Sequence, residues 1–94
     1  MAFDRSARPR LRAKAQLRHD RISGKNMLLY PERGLALNAV AAAMVQRLDG
    51  SHTLASIVDE VSTMFHGADP AVVEADLDEL VADLAARGLL DRVG

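Results

Sequence analysis

The chain has 94 residues, 49% hydrophobic and 27% charged, with no Cys or Trp, one Tyr and two Phe. That is enough for one domain with a modest core. The missing Cys excludes a disulfide framework, a thiolate metal site and a Cys nucleophile, and fits a reducing cytoplasm. So few aromatics argue against a base-stacking platform for single-stranded nucleic acid. The net charge of −1 conceals a division. Residues 1–33 carry nine Lys/Arg against three Asp/Glu, a net of +6, while residues 34–94 carry three against ten, a net of −7. Such a split marks two regions with different partners. The longest uncharged stretch, Gly34 to Gln46, falls short of the roughly 20 residues of a membrane-spanning helix. The basic N-terminus has no apolar run after it, so no signal peptide is expected.

Taken in chain order, residues 1–9 read as a flexible basic arm. They lack periodicity, and Pro9 biases Arg8 away from helix. The folded domain is expected over residues 10–94. Between residues 11 and 22, Leu11, Ala13, Ala15, Leu17 and His19 alternate with Arg12, Lys14, Gln16 and Arg18, which predicts a strand with one basic face. Ser23-Gly24-Lys25-Asn26 is a turn signal, and Met27–Tyr30 a second strand closing a hairpin. Pro31–Gly34 turns the chain into a short third strand, Leu35–Leu37.

Three helices follow. Asn38 caps the first, about Ala39 to Leu48, which ends at Asp49-Gly50. Thr53 caps the second, about Leu54 to Phe65, whose Leu54, Ile57, Val58, Val61 and Phe65 make one apolar stripe. Asp69-Pro70 opens the third, about Pro70 to Arg87. Its Val73, Leu77, Leu80, Val81 and Leu84 form a stripe, and Glu74, Asp76, Asp78, Glu79 and Asp83 an acidic face. Gly88 suits a left-handed C-terminal position, after which Leu89 and Leu90 fold back on the core. The expected architecture is a small α+β domain ordered β-β-β-α-α-α.

No catalytic constellation is present. His19, His52 and His66 lack the helical spacing of metal ligands and read as surface residues. No nucleotide-binding or nucleophile-elbow motif occurs. The acids of the third helix read as a solvated face, or as an acidic rim that selects a basic ligand. Three strands and three helices also suit a winged-helix DNA-binding domain, but acidic last helices oppose docking on phosphates. The third strand has a different use open to it. An edge strand offers unpaired N–H and C=O groups to which an extended peptide adds. The ordinary role of Leu35 and Leu37 is nonetheless core packing.

The run Leu28-Leu29-Tyr30-Pro31-Glu32-Arg33-x-Leu35-x-Leu37-Asn38 resembles the signature of the PqqD family, small peptide chaperones of pyrroloquinoline quinone (PQQ) biosynthesis. Arg10-Leu11-Arg12, Arg18-His19-Asp20, Ala41, Asp49-Gly50, Thr53, Ile57-Val58-x-Glu60 and Leu84-x-x-x-Gly88-Leu89-Leu90 agree with it. Gly34 and the junction Asn38-Ala39-Val40-Ala41 depart from the usual pattern. The resemblance implies a winged-helix-like fold with no catalytic residue, metal or cofactor. It implies binding of the precursor peptide PqqA and its presentation to the radical S-adenosylmethionine enzyme PqqE. In related recognition domains the leader adds beside the third strand and lies against the third helix. Carried onto this chain, the peptide-binding residues are Arg33, Leu35, Ala36, Leu37, Asp76, Leu77, Leu80, Asp83 and Leu84. Charge segregation assigns Arg10, Arg12, Lys14 and Arg18 to a surface for the modifying enzyme. An open sheet edge also permits a homodimer. The alternatives are a recognition domain for another modified peptide, a winged-helix DNA-binding protein and a cryptic enzyme.

Overall fold

A computed structural model describes residues 4–31 and 33–93. The order is β1 (Arg8–Leu11), β2 (Gln16–His19), β3 (Asn26–Tyr30), β4 (Arg33–Leu37), α1 (Ala39–Gln46), α2 (Leu54–Met64), α3 (Pro70–Ala86) and β5 (Leu90–Val93). The expected α+β domain is present: an antiparallel three-stranded sheet in the order β2-β3-β4, followed by three helices.

Each helix begins where a side chain satisfies a free backbone N–H. Asn38 accepts from Ala41 at 2.8 Å, Thr53 from Ser56 at 3.1 Å and Asp69 from Ala71 at 2.9 Å. At the far end of α3, Gly88 takes φ +72°. The turn lets the Leu89 N–H bond the Leu84 carbonyl at 2.9 Å and delivers Leu89 to the core. The core lies between the sheet and the helices. Leu28 comes from the sheet, Met44 from α1, Leu54, Ile57 and Val61 from α2, and Leu77, Val81 and Leu84 from α3.

One expectation is corrected here. The single strand over residues 11–22 is broken by a turn closed by the Ala15 N–H on the Arg12 carbonyl at 3.0 Å. Leu11 therefore belongs to β1, and only Gln16–His19 belongs to the hairpin. β1 pairs with β5, a strand the sequence reading did not anticipate, in a separate two-stranded ribbon.

The arm expected over residues 1–9 falls only partly within the described residues. Residues 1–3 lie outside the described residues. Residues 4–9 are held against the domain, with Ala7 and Pro9 buried. The Arg5 and Ala7 carbonyls accept from Ala55 and Leu54 at 3.1 and 3.0 Å, satisfying first-turn donors of α2. The Arg5 guanidinium binds Glu74 and Asp78 of α3. These carboxylates hold it further in its charged form, Asp78 most of all. These contacts reach some 50 to 70 residues away in sequence, which local periodicity does not register.

Candidate peptide-binding groove

β4 is an outer strand, bonded among the described residues to β3 alone. The Asp20 N–H bonds the Lys25 carbonyl at 2.8 Å, and this sets the parity of the whole sheet. Met27 and Leu29 turn their backbone groups to β2, so Asn26, Leu28 and Tyr30 turn theirs to β4. Their partners there are Leu37, Leu35 and Arg33. Gly34 and Ala36 therefore direct N–H and C=O away from β3, into the open. The expectation that backbone groups from Leu35 to Leu37 are available is narrowed to Ala36, with Gly34 before it. Leu35 and Leu37 spend theirs on the ladder and turn their side chains against the core.

A second wall stands beside this edge. Leu35, Ala36, Leu37 and Asn38, the α1 residues Val40, Ala41 and Met44, and the α3 residues Asp76, Glu79, Leu80 and Asp83 enclose a groove of about 550 Å³. Its floor is apolar and its α3 bank carries three carboxylates. Only Asn38 separates β4 from α1, so the first turns of that helix close the groove beside the strand. At the other end of the strand, Arg87 donates to the Tyr30 hydroxyl and to Asp83 at 3.1 Å, with its guanidinium over the Tyr30 ring. Asp83 foremost, and then Tyr30, hold Arg87 further in its charged form. Since Tyr30 pairs with Arg33, the C-terminal end of α3 meets the start of β4. Asp76 stands two helical turns before Asp83 on the same bank of the groove.

The residues expected to bind peptide divide. Leu35, Ala36, Leu37, Asp76, Leu80 and Asp83 line the groove. Arg33 is exposed at the start of β4. Leu77 and Leu84 do not line it: both are fully buried core residues. Helix period explains the correction in part: Val73, Leu77, Val81 and Leu84 form the inward stripe, Leu80 lies at its edge, about 55° from its centre, and Asp76 and Asp83 lie about 100° round the helix. The sequence reading missed Glu79, Val40, Ala41 and Met44. Glu79 was legible as the i+3 neighbour of Asp76. Val40 and Met44 repeat at the four-residue spacing of a core stripe, and Met44 serves both, being buried beneath the groove.

The basic residues Arg10, Arg12, Lys14 and Arg18 stand elsewhere. Arg10 and Arg12 both reach Asp91, at 3.8 and 2.9 Å. Lys14 lies in the β1–β2 turn and Arg18 on β2, the opposite edge of the sheet. His52 sits between Asp49 and Glu60, 3.0 and 3.4 Å away, and Arg47 reaches Glu60 at 3.2 Å. This network ties the α1–α2 turn to α2, away from the groove. No helix is long and apolar enough to cross a membrane among the described residues.

Comparison with known proteins identifies the family. Residues 26–90 match the profile of the family described as Coenzyme PQQ synthesis protein D (PqqD). A PqqA binding protein of Xanthomonas oryzae pv. oryzae is 43% identical over 89 residues, covering 95% of this chain and 96% of the relative. Among solved structures, the PqqD truncation of Methylobacterium extorquens PqqCD, determined by solution NMR as a functional stand-alone recognition element for ribosomally synthesized and post-translationally modified peptides, superposes with a TM-score of 0.78 at 36% identity. It covers 96% of this chain and 95% of that one. Lasso peptide synthetase B1 complexed with its leader peptide superposes with a TM-score of 0.71 at 28% identity, covering 90% and 99%. The matched profile, the near full-length identity and the shared fold together place the chain in the PqqD family.

Proposed function

We infer that this protein is a non-catalytic peptide chaperone of PQQ biosynthesis, which binds a PqqA precursor and presents it to the radical S-adenosylmethionine enzyme PqqE in the cytoplasm. The observation that carries this reading is the open edge of β4 beside an apolar groove. An added strand takes its main-chain bonds from Ala36 and Gly34, and its alternate side chains enter the groove over Leu35, Leu37 and Leu80. Arg33, Asp76 and Asp83 set polarity and register. Leu77 and Leu84 hold the floor from behind as core residues. The family membership and the relatives described as PqqA binding proteins support the choice of peptide.

The mechanism is effective concentration. Holding the precursor on one face and the enzyme on another turns a bimolecular encounter into a tethered one. No bond is made or broken by this protein, and no cofactor is required. The face carrying Arg10, Arg12, Lys14 and Arg18 serves the enzyme, with Lys14 and Arg18 most available because Asp91 already engages the other two. In the absence of peptide the β4 edge also permits pairing with a second copy.

Titration of a synthetic PqqA precursor into the wild-type protein and into Ala36→Pro tests the reading. Pro removes the outward N–H at position 36 and leaves the bonds to β3 in place. Binding by the wild type and none by a folded Ala36→Pro supports strand addition. Equal binding by both contradicts it. The likeness to a leader-bound lasso peptide synthetase B1 favours one second reading, recognition of another modified peptide, and a panel of leader peptides separates the two.

A further inference from the structure

Helix α3 carries five carboxylates, and their partners sort them. Glu74 and Asp78 are bound by Arg5, and Asp83 is bound by Arg87. Asp76 and Glu79 have no ion-pair or hydrogen-bond partner among the described residues, and both line the groove. They stand three residues apart on one face of the helix, where like charges repel. Among the described residues no cation pairs with them: Arg33 is exposed at the start of β4, and Arg18, Arg21 and Lys25 belong to β2 and its hairpin turn, beyond β3. The groove therefore presents an open strand edge, an apolar floor and a pair of negative charges that no described residue answers.

We propose that Asp76 and Glu79 form a cation-selecting subsite, and that the segment bound along β4 carries a Lys or Arg facing them. This deepens the peptide-binding reading and rests on it. Side chains of an added strand alternate, so the cation stands an even number of positions from the apolar residues seated over Leu35, Leu37 and Leu80. Because Arg87 already binds Asp83 further along the same bank, a peptide with its cation displaced towards Asp83 meets Arg87 instead of a free acid. The pair thus selects strand direction and register as well as composition.

The test is a double-mutant cycle in low salt. Asp76→Asn/Glu79→Gln keeps the shape of the bank and removes its charge. One arm uses a synthetic PqqA precursor, and the other uses versions with each Lys and Arg replaced singly by Gln. The double variant is expected to bind the precursor about fivefold more weakly than the wild type, the upper range for a partly exposed ion pair, with a flatter salt dependence. One Lys or Arg replacement weakens wild-type binding by the same factor and does nothing further to the double variant. Asp59→Asn, a carboxylate on α2 outside the groove, controls for bulk charge and leaves affinity unchanged. Unchanged binding by Asp76→Asn/Glu79→Gln, or no coupling to any peptide cation, overturns the subsite. If Ala36→Pro abolishes binding in the same experiments, strand addition survives that outcome. If Ala36→Pro binds normally, or the wild type does not bind, both fall together.

Discussion

Both outer strands of the three-stranded sheet expose backbone groups, and they differ in what stands beside them. β4 opens on a groove whose far wall is α3 and whose end is closed by the first turns of α1. By the parity of the ladder, β2 turns the backbone groups of Leu17 and His19 outward, but it is four residues long and carries Arg18 among exposed polar neighbours. Charge and brevity are how proteins keep an edge from pairing. An unpaired strand becomes a binding site when a second element supplies side-chain contacts across from it, and among the described residues the groove beside β4 supplies them.

The comparison is broken most sharply by proline. Ala36→Pro is expected to weaken peptide binding by more than about tenfold, from lost main-chain bonds and a disrupted register, whereas His19→Pro on the other edge leaves it unchanged. Calorimetric titration reads both, with amide spectra to confirm that each variant folds. Equal losses from the two substitutions would erase the distinction between the edges.

A second pair separates floor from bank. Leu77→Ala is expected to cost about 2–5 kcal/mol of folding stability, because Leu77 is fully buried. Leu80 is only partly buried and lines the groove, so Leu80→Ala costs less stability and more peptide affinity. Denaturant melts and titrations on the same two variants check the crossover.

Much of this division was legible in the sequence. Caps at Asn38, Thr53 and Asp69 and the apolar periods gave three helices within about two residues of their ends. The charge boundary near Arg33 and Gly34 coincides with the start of β4. What was not legible is non-local. β1 pairs with β5 across nearly the whole chain, and Arg12 and Asp91 meet there at 2.9 Å. Neither strand has a period long enough to declare itself. The alternation from Leu11 to His19 suggested one strand because a turn over Arg12–Ala15 does not interrupt the pattern of residue types. Leu77 and Leu80 were grouped in one stripe, and only the position of β4 beside the helix separates core from groove. Gly34 shows the same dependence on context. A Cβ there would come within 3.1 Å of the Met27 methyl and 3.3 Å of a Leu29 methyl, both ends of movable side chains, so the departure from the family pattern leaves the edge intact.

A smaller effect concerns the scaffold that both edges share. The Arg5 clamp on Glu74 and Asp78 is partly exposed, so Arg5→Ala is expected to cost about 1 kcal/mol or less, measured by denaturant unfolding, with peptide affinity unchanged.

The last effect is one of pH. Asp49 accepts from the His52 ring foremost and from the Ser51 N–H and hydroxyl, which holds its carboxyl well below the usual carboxylate range. Its folded-state pKa is depressed, so the unfolded chain binds the proton more readily. Its contribution to stability is complete above about pH 4, the ordinary Asp value, and is lost as pH falls further towards the folded value. Melting temperature against pH is expected to drop less steeply below pH 4 in Asp49→Asn, again without effect on the groove at neutral pH.

The central claim is that the peptide is held on the β4 edge and not on the basic face. Residue-resolved amide shifts during titration with a synthetic PqqA precursor test it most directly. The account predicts the largest changes at Gly34, Ala36 and Asn38 and along α3 from Asp76 to Asp83, with new protection of the Ala36 amide from exchange. Changes confined to residues 5–25, with the β4 amides unmoved, would contradict it and place the peptide on the opposite side of the sheet.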